Sequence, residues 1–291
     1  MNPLSPGTHS IDVDGVVQRY HVAGSGPVCV VHSGGPGIAW EYLRMPVLEQ
    51  RLTMVHLEPV GTGESGGLAD PTDYNLTTYQ RFLHAVVEHL GVPRVALLGH
   101  SHGGFVVQRY LLAHPERVAG VVLYDTSPNT GEEFWSHAVA NVGLFAERHA
   151  DHPEAAAVAS AFGRLGEDLD DDGKTDLLRD LLPAYFADYW GREEEFRPLR
   201  DGVRAWRAPD LGVEPEPFDV REELERTTVP ALIVVGAHDF ICGPPWAERL
   251  RAAIPHAEVL DLADSGHFGH LEQPEVFLPA VAEFVTKTAA R

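Results

Sequence analysis

Cysteine is scarce in this chain: Cys29 and Cys242 are the only two in 291 residues. Two thiols build neither a disulfide framework nor a four-cysteine zinc site. They fit a reducing compartment, so a cytoplasmic location is expected. Long apolar runs are missing as well. No stretch reaches about 18 uninterrupted apolar residues, and residues 1–30 lack a basic segment followed by an apolar one, so neither membrane insertion nor export is indicated. Basic residues are outnumbered, 22 against 43 acidic ones, for a formal charge of −21. That field repels phosphate backbones and anionic lipid over a Debye length or more, which argues against nucleic acid and membrane surfaces as partners. There is no repeat of solenoid period.

What is present is ordinary for a folded domain: 44% hydrophobic and 22% charged residues. A chain of this length buries roughly 75% of its unfolded surface, so folding requires neither a cofactor nor a cross-link. Residues 10–13 and 16–22 flank Asp14-Gly15, a strong hairpin signal, and the turn at 24–27 leads into the apolar run at 28–31. A helix is expected near 40–50, a strand at 54–57, and then the glycine-rich loop Gly61-Thr62-Gly63-Glu64-Ser65-Gly66-Gly67. From Leu76, Tyr79, Phe82, Leu83, Val86, Val87 and Leu90 recur at helical steps until Gly91. Strand, helix and strand follow at 95–98, 105–113 and 118–124, the alternation of parallel crossovers with helices on both sheet faces.

After Pro128 the strand runs stop, and helical segments such as 134–149 and 176–189 take over. Strand and helix alternation resumes with a strand at 231–235, a helix at 245–254, a strand at 258–262 and a last helix from 274. The expected architecture is therefore α/β: a doubly wound core of residues 1–127 and 228–291, interrupted by a helical cap at 128–227.

The chemistry centres on Gly99-His100-Ser101-His102-Gly103-Gly104, between an apolar strand and a helix. A turn this tight strains the serine backbone and tolerates only small flanking residues. A hydroxyl is a poor nucleophile at neutral pH, so Ser101 needs an imidazole to take its proton and a carboxylate to orient that imidazole. Asp239 follows the strand at 231–235 and His267 follows the next one, in the chain order serine, acid, histidine. Asp125, at the end of an earlier strand, is the rival acid; Asp264 is too close to His267 in sequence, and His270 reads as a packing residue. His100 and His102 flank the nucleophile and are expected to pack or line the pocket; an H-x-H pair without a third ligand is weak evidence for zinc, and no metal is expected. The oxyanion of an acyl-transfer intermediate needs backbone donors, assigned to His102 and to Gly35 in the loop His32-Ser33-Gly34-Gly35-Pro36-Gly37. Asp168-Leu169-Asp170-Asp171-Asp172-Gly173 starts like a calcium loop, but Arg179 stands where the bidentate glutamate belongs, so an exposed acidic turn is expected.

On these motifs the chain resembles the α/β-hydrolase superfamily over essentially its full length. Within it, Gly34-Gly35-Pro36-Gly37, Gly61-Thr62-Gly63-Glu64-Ser65, the Ser101 turn, Asp239-Phe240-Ile241-Cys242 and Ser265-Gly266-His267-Phe268 look like the proline iminopeptidase group. Three positions depart from that group: Ser33 before the glycines, Glu58-Pro59-Val60-Gly61 at the next loop, and His102 after the nucleophile. The resemblance implies an α/β-hydrolase fold with an inserted cap and a cofactor-free serine hydrolase acting on a small molecule or short peptide. An aminopeptidase of that kind needs cap carboxylates for the substrate ammonium, and Glu193, Glu194 and Glu195 are candidates. Cys242 matches a cysteine of such peptidases and is either near the pocket or a small buried apolar residue. Two alternatives stand beside the peptidase: an esterase or lactonase of the same fold, and a non-hydrolytic receptor, cyclase or lyase.

Overall fold

A computed structural model describes residues 2–206 and 218–290. β1 (Gly7–Val13) and β2 (Val16–Gly24) form the expected hairpin. Asp14 and Gly15 both take positive φ, 53° and 85°, as a two-residue turn between twisted antiparallel strands requires. β3 (Val28–His32), β4 (Thr53–Glu58), β5 (Val95–His100), β6 (Val118–Tyr124), β7 (Ala231–Gly236) and β8 (Glu258–Leu262) complete one sheet, in the order β1-β2-β4-β3-β5-β6-β7-β8. Pairings from β4 through β8 are parallel; those of β1 with β2 and β2 with β4 are antiparallel.

The central strands are buried on both faces, and their alternate residues enter two separate cores. Val30, Val55, Leu97, Val121 and Ile233 face one core, together with residues of the helices Leu76–His89, His102–Ala113 and Pro244–Ala253. Val31, Met54, Leu98, Val122 and Val234 face the other, against Phe277, Val281 and Phe284 of the helix Pro274–Ala289. This two-sided burial explains why those strands read as unbroken apolar runs.

Two expected helices are altered. Residues 40–50 form a 3-10 turn, Trp40–Leu43, and a short helix, Pro46–Glu49. Pro46 has no N–H to continue a helix and pushes Met45 out of the helical region, to φ −123° and ψ 82°. The segment expected at 176–189 begins earlier, as Asp171–Leu181, because the Asp170 carboxylate accepts from the Gly173 N–H at 2.9 Å and caps it. It gives way to a 3-10 turn, Leu182–Tyr185, at Pro183.

Between β6 and β7 lie the helices Glu132–Arg148, Ala155–Phe162, Asp171–Leu181 and Glu193–Gly202. Leu182, Phe186, Tyr189, Phe196 and Val203 of this region form an apolar cluster of their own, which also takes in Phe268 from the loop after β8. Residues 207–217 of the expected cap lie outside the described residues. Among the described residues no helix is long and apolar enough to cross a membrane.

Candidate active site

Ser101 sits between β5 and the helix His102–Ala113 with φ 54° and ψ −122°, a conformation that side chains with a Cβ rarely adopt. Its N–H donates to the Tyr124 carbonyl at 3.0 Å, and its own carbonyl accepts from the Gly104 N–H and the Thr126 hydroxyl, both at 2.8 Å. The flanking glycines are required by close approach. A Cβ on Gly103 would stand 2.3 Å from the His32 carbonyl oxygen, and one on Gly99 2.5 Å from that of Gly103. The turn is thus clamped on β3 and β6 while the serine side chain stays half-buried at a cavity wall.

Asp239 and His267 meet in the loops after β7 and β8. His267 Nδ1 lies 2.7 Å from Asp239 Oδ2, and both side chains are buried. The other carboxylate oxygen accepts the N–H groups of Ile241 and Cys242 at 2.9 and 3.1 Å, so the acid's orientation is set by main chain. The His267 N–H donates to the Tyr185 carbonyl at 2.6 Å. Ser101 and His267 face the same cavity, of about 770 Å³. Among the described residues the Ser101 hydroxyl holds no hydrogen bond, to the His267 ring or to any other group.

Asp125 has a different surrounding. One oxygen accepts the Gly236 N–H at 2.8 Å, the other is buried without a partner, and burial with the neighbouring Asp239 carboxylate holds its pKa well above the usual range. Asp125 holds β7 main chain and makes no hydrogen bond to His267; it is Asp239 that stands on the imidazole. The atoms of His100, Asp125 and His267 suited to a metal lie within 4.8 Å of one another, but both His100 ring nitrogens already have partners, the Tyr42 hydroxyl at 2.6 Å and the His267 carbonyl at 2.8 Å. The N–H groups of Gly35 and His102 have no acceptor among the described residues, whereas that of Gly34 donates to the Tyr42 hydroxyl at 2.7 Å. The His102 ring packs edge-on against Tyr79 and Phe105, and burial pushes its pKa down to about 3.

Residues 27–274 match the alpha/beta hydrolase fold family. The chain belongs to that family. A relative provisionally named a 2-succinyl-6-hydroxy-2,4-cyclohexadiene-1-carboxylate synthase, from Bacillus subtilis (strain 168), is 26% identical over 96% of this chain and 99% of its own. The (lyso)-N-acylphosphatidylethanolamine lipase of Mus musculus is 26% identical over 88% of this chain and 78% of its own. Among solved structures, an esterase from Rhodococcus sp. ECU1013 superposes with a TM-score of 0.74 at 20% identity, covering 96% of this chain and 98% of that one. The enol-lactonase from Burkholderia xenovorans LB400 superposes with a TM-score of 0.71 at 21% identity, covering 96% and 100%.

In this hydrolase the expected ammonium-binding carboxylates need correction. Glu194 and Glu195 are exposed, 83% and 54%, and pair with Arg197 and Arg192 on the outer face of the cap rather than lining the cavity. Their helix turns its apolar residue Phe196 inward, which leaves the run of glutamates in water. The carboxylates at the cavity are Glu167 and Asp168, with Lys174 beside them. Asp170 of the acidic turn is occupied as a helix cap. Cys242 is buried outside the cavity lining, and burial raises its pKa well above the usual thiol value. His270 packs between the Tyr124 hydroxyl and the Tyr42 carbonyl, at 2.9 and 2.8 Å, and Asp264 is exposed.

The sequence reading missed Tyr42, Tyr185 and Glu272. Glu272 is buried and accepts the N–H of Ala187 in the cap at 2.7 Å, the N–H of Gly266 at 2.7 Å and the Ser265 hydroxyl at 3.0 Å, tying cap to histidine loop. A glutamate five residues after the motif histidine, next to an apolar helix, was the available signal. Tyr42 and Tyr185 carry no motif and are brought in by tertiary contact alone.

Proposed function

We propose that this protein hydrolyses carboxylic esters or lactones of small to medium size through an acyl-enzyme. Ser101 attacks the carbonyl, His267 takes its proton and returns it to the leaving oxygen, and Asp239 holds the imidazole in the tautomer with the proton on Nδ1. The Gly35 and His102 N–H groups receive the oxyanion, and water then attacks the acyl-enzyme with His267 as base.

The observation that carries this reading is the cavity wall facing Ser101. It is built mainly from apolar side chains, among them Ile38, Phe162, Leu181, Leu182, Val203 and Ile241. Such a wall favours a neutral acyl group, since an unpaired cation loses its hydration there without return. The esterase and enol-lactonase among the structural neighbours act on bonds of this class by their names. The proline iminopeptidase reading is weaker, because the glutamates it relied on point to solvent; it would have to use Glu167 or Asp168 instead.

A panel of p-nitrophenyl esters, lactones and proline arylamides tests the proposal. Turnover of esters or lactones is expected, with a Ser101→Ala loss of about 10⁴-fold or more in kcat. Hydrolysis confined to the arylamides would move the assignment to the peptidase, and undiminished turnover by Ser101→Ala would reject the nucleophile.

A further inference from the structure

The ring nitrogens of His100 define a proton arrangement. Nε2 lies 2.8 Å from the main-chain carbonyl of His267, an acceptor only, so Nε2 carries a proton. The ring is fully buried, and burial together with the neighbouring His267 ring lowers its pKa well below the usual value, so the imidazole is neutral and Nδ1 is bare. The Tyr42 hydroxyl, 2.6 Å from Nδ1, therefore donates to it. That same hydroxyl accepts the Gly34 N–H at 2.7 Å, leaving every group along the line satisfied.

A second line of the same design supports the first. The His270 Nε2 faces the Tyr42 carbonyl at 2.8 Å and must donate to it, so His270 Nδ1 accepts from the Tyr124 hydroxyl at 2.9 Å. Tyr124 in turn accepts the His270 N–H at 3.1 Å. The Tyr42 main chain and hydroxyl are both held, in a buried setting where a mislaid proton is costly. Space is equally tight: a Cβ on Gly34 would stand 3.1 Å from both Tyr42 Oη and Ser101 Cβ.

We propose that Tyr42 and His100 are positioning residues that lock the glycine loop carrying the Gly35 N–H to the main chain of His267, so that oxyanion donor and base keep one spacing about Ser101. The inference rests on the serine-hydrolase reading above. Neither side chain takes or gives a proton in the reaction; each holds the backbone of a group that acts.

The test uses the whole enzyme, its best p-nitrophenyl ester, and 15N NMR of the histidine rings. Tyr42→Phe is expected to lower kcat about tenfold with KM little changed, the size of one lost positioning hydrogen bond. His100→Leu, which removes both the donor to the His267 carbonyl and the acceptor for the Tyr42 hydroxyl, should cost at least as large a factor, and the double variant little more than His100→Leu alone. In the wild-type spectrum His100 should be the neutral tautomer with the proton on Nε2. An unchanged kcat in Tyr42→Phe overturns the proposal, as does a loss entirely in KM, which would make Tyr42 a substrate contact. A proton on His100 Nδ1 overturns it whatever the activity. Lack of turnover on every ester and lactone would instead reject the function above, and the tautomer would still decide the wiring.

Discussion

Gly103 shows how little freedom single positions around the nucleophile have. Its missing Cβ lets the helix His102–Ala113 lie against the His32 and Ser33 carbonyls, 2.3 and 2.6 Å from where that carbon would be. Gly103→Ala should destabilise the protein by about 1–3 kcal/mol, measured by urea unfolding, and slow fluorophosphonate labelling of Ser101, because the His102 N–H moves with the helix. Asp125 makes a different prediction. Its carboxyl keeps a proton in the fold well above 3.8, through burial and then the Asp239 charge. Its stabilising effect is therefore complete below that value and falls as pH rises toward the folded pKa. Asp125→Asn keeps an acceptor for the Gly236 N–H and tolerates the positive φ of 43°. Its Tm relative to the parent's should be higher at pH 8 than at pH 4, by about 2 °C or more in a chain of this size. A Tm difference independent of pH would contradict the raised pKa.

Elements meet at the histidine loop, where cap and core share hydrogen bonds. His267 donates to Tyr185 of the turn Leu182–Tyr185, Glu272 receives both Ala187 and Gly266, and Phe268 fills the cap cluster. Removing the carboxylate leaves the Ala187 and Gly266 N–H groups unpaired, while the Ser265 hydroxyl still reaches the Gly266 carbonyl. Glu272→Ala should thus cost about 2–4 kcal/mol in urea unfolding, while Glu272→Gln, which keeps an acceptor, should cost less. Equal stability in the Ala variant would show that cap and loop do not depend on this residue. How much of these elements was legible follows from where their determinants lie. Asp14-Gly15, the helical spacing from Leu76 and the apolar runs of β5 through β7 are local patterns and were readable. The break at Pro46 was missed, although proline chemistry could have found it, and the inward or outward facing of Glu193–Glu195 needed the packing of Phe196.

The molecule as a whole carries a formal charge of −21, with both thiols inside. Burial pushes the Cys29 pKa up to about 12 and that of Cys242 well above its usual value, so neither should react with a disulfide reagent in the native protein. Two thiols should titrate in denaturant; fast labelling without it, with loss of activity, would place a thiol at the cavity. By itself the sequence determined the fold class, through strand and helix periodicity, and pointed to Ser101, Asp239 and His267, because the turns that end strands are built from neighbouring residues. Only the tertiary structure decided which of two buried acids stands beside the imidazole, which glutamates reach the cavity, and what holds the His267 main chain. Those depend on desolvation, on the way a helix face turns, and on hydrogen bonds between residues as far apart as Tyr42, His100 and His267. Such quantities arise from folding the chain in three dimensions and have no counterpart in local spacing.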